Sequence, residues 1–244
     1  MKTLIAPVKN IKRLAELGTE LQARANMLPG IAVAYGESGI GKSTGLTWLS
    51  TTKINACYVR AMQVWSPSSM LGAIATELDV EPARTLSDTI KLIVGELSRT
   101  DRPLIVDEAD YVVDQPRLLN TLRDLHDLST MPLILVGMQD FVRKLRTRTD
   151  QKQFSGRVAL ELEFKPLDLA DTKVIAATLC EVEVEDDLLA QLHEKSQGVT
   201  RLICVGLARI ETFAKNSGLK KVSARQWGDK PLNLMAGGAR SQAA

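Results

Sequence analysis

Apolar positions along this chain fall into two alternating patterns. Short unbroken runs, "IAVAY" (31–35), "ACYV" (56–59), "PLIVD" (103–107) and "PLILVG" (132–137), are bounded by glycine, proline or polar residues. Runs of that length suit strands buried on both faces. Between them the apolar residues recur at helical period. "SPSSMLGAIATEL" opens on Ser-Pro chemistry suited to a helix start, and "TLSDTIKLIVGELSR" offers Ser87 or Asp88 for a first turn. Ahead of the first run, Ile11, Leu14, Leu17 and Leu21 predict an amphipathic lead-in helix, which "LPG" (28–30) breaks. "VALELEF" (158–164) alternates apolar with acidic residues and reads as a further strand. Strands alternating with helices predict a parallel, helix-covered α/β sheet with its ligand site at the strands' C-terminal ends.

From "PLDLADTKVIAATLCEV" onward the pattern is wholly helical. "EDDLLAQLHEKSQG" and "TRLICVGLARIETFAKNSG" each close on a glycine, as helices often do. The expected organisation is a lead-in helix (1–28), an α/β core (29–165), a small all-helical domain (166–230) and a disordered tail (231–244). The tail, "PLNLMAGGARSQAA", is rich in small residues and has no periodicity. No internal repeat is evident.

At 244 residues the chain can hold one α/β domain and a small appended one. A hydrophobic fraction of 45% and a charged fraction of 25% are ordinary for a soluble globular protein. No apolar stretch approaches the roughly 20 residues that span a bilayer, so no membrane association is expected. The opening "MKTLIAPVKNIKRLAEL" has neither a sustained apolar core nor a small-residue cleavage site, so no secretion signal is expected. Cys57, Cys180 and Cys204 are too scattered for a disulfide framework or a zinc site, and fit buried thiols in a reducing cytoplasm. With only His126 and His193 present, a histidine metal site is not expected.

Net charge is only +2, so its distribution matters more than its sum. Arg143, Lys144, Arg146, Arg148 and Lys152 crowd "RKLRTRTDQK", where Asp150 is the only carboxylate. "EVEVEDD" (181–187) is compactly acidic, and the stretch from Lys195 to Lys230 is basic again. Such segregation fits a face that meets a polyanion; a set of solvated helix faces fits equally.

The chemistry enters at "GESGIGKST" (36–44), directly after the first strand. The spacing Gly36-x-x-x-x-Gly41-Lys42-Ser43 is the phosphate-binding P-loop pattern. Gly36, Glu37, Ser38, Gly39, Ile40 and Gly41 would turn successive backbone N–H groups inward around an anion. A helix opened by Lys42, Ser43 and Thr44 aims its positive end at the same point. Lys42 would reach the β- and γ-phosphates, and the Ser43 hydroxyl would ligate Mg²⁺.

"PLIVDEAD" (103–110) supplies the complementary signal. An apolar strand delivering Asp107 and Glu108 to its end provides a carboxylate for Mg²⁺ through its water shell and one to activate a water. Together the motifs predict ATP binding and hydrolysis. After "PLILVG", where many such enzymes present a polar side chain to the γ-phosphate, stands Met138, with Gln139 the first residue able to hold a water. Arg157, in "QFSGRV", could reach a neighbouring subunit's ATP site or bind a local carboxylate. Arg201, in "GVTRLI", opens a helix from which it could contact the γ-phosphate.

These pieces together resemble an AAA+ ATPase of the initiator/helicase-loader branch, over about residues 5 to 225. Within that branch they are most similar to the transposition ATPases of phage Mu B and TnsC/TniB type. The resemblance implies an AAA+ core with a helical lid, Asp107 and Glu108 in the second-motif roles, Arg157 as finger and Arg201 as lid arginine. It implies ATP-bound homo-oligomers or filaments on double-stranded DNA, bound without sequence preference, that recruit a transposase. Two departures stand out: the small polar residue after "VG" is missing, and no separate N-terminal DNA-binding domain is expected ahead of the core. In this branch the segment after the second strand approaches DNA. Here that is "RAMQVWSPSS", making Arg60, Gln63, Trp65 and Ser66 candidates, with packing the better fit for Trp65 because tryptophan is usually largely buried. Arg143, Lys144, Arg146, Arg148 and Lys152 could bind phosphate or line a subunit interface. Alternative readings are a helicase-loader-like ATPase of replication or an insertion element, and a small-molecule kinase, against which "DEAD" and the helical C-terminal region argue.

Overall fold

The computed structural model describes residues 1–25, 28–148 and 151–232; Asp150 and most of the expected tail lie outside them. The elements run α1 (Lys9–Ala23), β1 (Ile31–Tyr35), α2 (Lys42–Thr52), β2 (Cys57–Arg60), α3 (Pro67–Glu77), α4 (Leu86–Thr100) and β3 (Leu104–Asp107). They continue as α5 (Asp110–Val113), α6 (Pro116–Ser129), β4 (Leu133–Gly137), α7 (Gln139–Thr147), α8 (Lys152–Ser155) and β5 (Val158–Glu163). The last are α9 (Leu169–Leu179), β6 (Glu183–Val184), α10 (Asp186–Ser196), α11 (Thr200–Asn216), β7 (Lys221–Val222) and α12 (Ala224–Trp227).

By their contacts these residues form two units. One comprises Arg13–Ser38 and Lys42–Phe164; the other comprises Met1–Lys12, Gly39–Gly41 and the chain from Lys165 on. The first unit is built on a parallel sheet of order β2-β3-β4-β1-β5. Every residue of β3 and β4 is buried, as strands covered on both faces demand, whereas edge strand β5 is buried only in part. That is why the inner strands read as continuous apolar runs and β5 as an alternation. Helix starts follow capping chemistry. Ser66 and Ser69 form a reciprocal capping box ahead of α3, with Pro67 in its first turn. Thr85 caps α4, accepting the Asp88 N–H, and Ser87 and Asp88 lie in its first turn.

The second unit packs Leu188, Leu192, Ile203, Leu207 and Ile210 as its core, with Phe213 and Trp227 edge to face, ring centroids 5.4 Å apart. It is not wholly helical, contrary to the periodicity. β6 and β7 pair in parallel, held by Glu183 N–H to Lys220 O (3.0 Å) and Glu185 N–H to Val222 O (2.9 Å). Two-residue strands are too short to show a period of two, and the pairing joins segments far apart in sequence. Among the described residues no helix is long and apolar enough to cross a membrane.

Candidate nucleotide-binding site

The segment between β1 and α2 turns at glycines because it must: Gly41 has φ +91°, a conformation costly for any side chain. Ile40 is buried, while Glu37, Ser38, Ser43 and Thr44 are exposed. Lys42 opens α2, and its ammonium donates to Gly36 O (2.6 Å) and Glu37 O (2.8 Å), with the Met138 Sδ at 3.6 Å. Burial lowers the Lys42 pKa, opposed by the fields of Asp110, Glu108, Asp107 and Glu37. The fields of four carboxylates thus act on one partly buried cation. In the helical unit, which counts Gly39–Gly41 among its residues, the Arg201 N–H donates to Gly39 O (2.8 Å).

At the end of β3, Asp107 is 2% exposed. Its Oδ1 accepts the Glu108 N–H (2.9 Å) and its Oδ2 the Tyr58 hydroxyl (2.8 Å). The backbone there is clamped from both sides. Ala61 N–H donates to Asp107 O (2.8 Å), and Ala109 N–H to Val136 O (2.7 Å). Between those clamps Glu108 adopts φ +55°, a left-handed geometry unusual for a non-glycine residue. Its Oε1 accepts Arg60 Nη2 (2.9 Å).

Asp110, unremarked in the sequence beyond its place in "DEAD", takes a structural part. Its two oxygens accept the Met138 N–H (2.9 and 3.2 Å), fixing the end of β4. Burial raises its pKa, partly offset by that hydrogen bond and by Lys42. Gly137 permits the approach, since a Cβ there would meet Asp110 Oδ2 at 2.8 Å and Phe141 Cγ at 2.9 Å. From this strand end it is Met138, rather than the exposed first residue of α7, Gln139, that reaches Lys42.

Arg157 precedes β5 and forks onto Asp127 of α6, with Nε to Oδ1 and Nη2 to Oδ2 both 2.8 Å, while Nη1 donates to Gln153 O (2.6 Å). A local carboxylate therefore holds it within the chain. The basic segment is likewise answered by carboxylates, one three residues back on α7 and the others further off in sequence. Lys144 pairs with Asp114 (2.7 Å), Arg148 with Asp114 (3.5 Å), Arg143 with Asp140, and Arg146 with Glu161. Lys152 opens α8 and is exposed.

On the loop after β2, Arg60 and Gln63 are exposed and Ser66 is spent on capping α3. Trp65 is 4% exposed, packed in the core with Met70 and Leu71 as neighbours in that cluster. As a DNA contact it is therefore corrected: a buried indole has no face left for a duplex. The exposed apolar side chains of that turn are Met62 (53%) and Val64 (84%), which sequence reasoning passed over.

Among the described residues no group of three or more His, Cys, Asp or Glu side chains could hold a metal alone. Magnesium does not need one, since it commonly takes one or two protein oxygens together with substrate phosphates and water. An Asp107 carboxylate and a Ser43 hydroxyl, both hard oxygen donors, fit that chemistry.

A family model described as an AAA domain matches residues 25–145. No curated protein matches. Among solved structures, the Aeropyrum pernix ORC2 protein in its ADPNP–ADP complexes superposes with a TM-score of 0.73 at 16% identity, over 93% of this chain and 68% of that one. The Aeropyrum pernix ORC1 protein in complex with DNA gives 0.58 at 20% identity, over 91% and 63%. The Thermotoga maritima RuvB Holliday junction branch migration motor gives 0.55 at 18% identity, over 89% and 66%. The chain spans about two thirds of the length of these structures. The shared feature at such identities is the fold, a P-loop AAA+ domain.

Proposed function

We propose that this AAA-domain ATPase binds duplex DNA as an ATP-dependent homo-oligomer and serves DNA transposition by presenting target DNA to a transposase. The observation that carries the DNA half is the Arg60–Glu108 pair. The side chain assigned to activate water is held by an exposed cation on the loop assigned to meet DNA. A phosphate that draws Arg60 away frees the Glu108 carboxylate for water, so DNA binding should stimulate hydrolysis. Lys42 binds the terminal phosphates and Glu108 takes the proton from the attacking water. Asp107 and Ser43 would hold magnesium, which when bound offsets the charge of the transferring phosphoryl group. The likeness to ORC proteins supports a second reading, a loader or initiator ATPase of replication; a transposase or a replication factor in the neighbouring reading frame distinguishes the two.

Phosphate contacts release counterions, so log affinity should fall with log salt by about 0.9 for each phosphate neutralised. Arg60→Ala should flatten that slope by about one contact per subunit and weaken binding equally on unrelated duplexes, because phosphates carry no base identity. Polarisation titrations at two salt concentrations, with and without ATP, measure both. Tight, ATP-independent binding to one sequence would overturn the proposal. Replacing the basic cluster tests its share: exposed ion pairs hold their partners weakly, so Arg146 or Lys144 can exchange a carboxylate for a phosphate.

Assembly makes its own demand on Arg157. If that arginine leaves Asp127 to serve a neighbour's ATP, specific activity should climb with protein concentration, and Arg157→Ala should abolish the climb without loss of nucleotide affinity. Specific activity independent of concentration in the unaltered protein would remove the finger role and leave the Asp127 fork as a fastening between α6 and the start of β5.

A further inference from the structure

Tyr58 lies on β2 two residues before Arg60, and its hydroxyl faces two neighbouring elements of the site. It donates to Asp107 Oδ2 at the end of β3 (2.8 Å) and meets Thr47 of α2, whose own hydroxyl donates to Ser43 O (3.0 Å). One oxygen atom thus joins the helix that follows the phosphate loop to the acidic end of the neighbouring strand. We propose that Tyr58 is the positioning residue that orients the Asp107 carboxylate to carry magnesium, a role that rests on the Mg-ATP reading above.

An aspartate's terminal torsion is broad and roughly two-fold, so an unrestrained carboxylate plane turns easily. Here each oxygen has one donor, the Glu108 N–H on Oδ1 and the Tyr58 hydroxyl on Oδ2. An ionised carboxylate has about four lone-pair sites, so about two stay free and point in a fixed direction for the ion's water shell. The Glu108 amide is backbone and survives every substitution except proline, which leaves the Tyr58 hydroxyl as the adjustable half of the grip. A phenol, with an ordinary pKa of about 10, carries its proton at neutral pH and so donates it here. Partners of a metal's ligands typically alter metal affinity by 10- to 100-fold when removed.

The test is Tyr58→Phe, which removes that oxygen and keeps the ring. A fluorescent ATP analogue is titrated in EDTA and across a magnesium series, with the unaltered protein, Tyr58→Phe, Asp107→Asn and the double variant. The expected result is unchanged affinity in EDTA and a magnesium midpoint raised about tenfold or more in Tyr58→Phe. In the Asp107→Asn background the same change should have little effect, because Tyr58 acts through that carboxylate. An unchanged midpoint overturns the proposal. So does an equal loss in EDTA, or an equal shift in both backgrounds, either of which marks a packing role. If magnesium leaves nucleotide affinity of the unaltered protein untouched, the Mg-ATP reading itself fails and takes the proposal with it.

Discussion

Glu108→Gln should bind ATP as tightly as the unaltered protein and hydrolyse it on the order of 10²- to 10⁴-fold more slowly, the usual contribution of a positioned general base. Glutamine keeps the length of the side chain and an oxygen able to accept Arg60 Nη2, now 2.9 Å from Oε1, so the loop after β2 has no reason to move. It cannot accept a proton from water. The loss corresponds to roughly 3–5 kcal/mol of transition-state stabilisation at about 1.4 kcal/mol per tenfold. Equilibrium binding of a nucleotide analogue together with single-turnover hydrolysis separates the two effects. Turnover at the normal rate would show that another group activates the water.

Lys42→Ala acts earlier. A hydrogen bond to a charged group contributes about 1.5–3 kcal/mol, so losing the ammonium from the terminal phosphates should raise the Kd for ATP on the order of 10²-fold. Thermal stability should change little. Burial lowers the Lys42 pKa, ahead of the opposing fields of Asp110, Glu108 and Asp107. The folded state therefore holds that proton less firmly than the unfolded chain, and removing the charge relieves a cost instead of losing a stabilising pair. A large drop in Tm would show instead that the bonds to Gly36 O and Glu37 O fasten the turn. ATP affinity close to normal would place the phosphates elsewhere.

The fold was legible where its physics is local. The inner strands announced themselves as apolar runs because both faces are covered, and the turn before α2 by its glycines. What stayed hidden depends on which strand lies beside which. The order β2-β3-β4-β1-β5 sets Arg60 opposite Asp107, and only that register brings Arg60 to Glu108 and Tyr58 to Asp107. The basic run at 143–148 looked unbalanced because its carboxylates sit on the end of α5, at the start of α7 and on β5. Charge counted along a chain says little about charge in space. Trp65 fell between two readings because an aromatic residue in a turn suits either a surface or a core, and only its burial decides.

Glu108 stands in a backbone conformation that commonly costs 1–3 kcal/mol. The other non-glycine residues with positive φ among those described close helices or lie in the turns just after them, as Asp101 and Thr130 do; Glu108 follows a strand instead. Glycine there should relax the chain and raise stability, while removing the carboxylate proposed as the base. Mutation and selection therefore pull in opposite directions at this position. In a lineage released from the need to hydrolyse ATP, position 108 should drift early, toward glycine or asparagine, while Lys42 and the glycines of the loop persist for as long as nucleotide is still bound. The residue at 108 would then serve as a marker in related chains, separating those that turn over their nucleotide from those that only hold it.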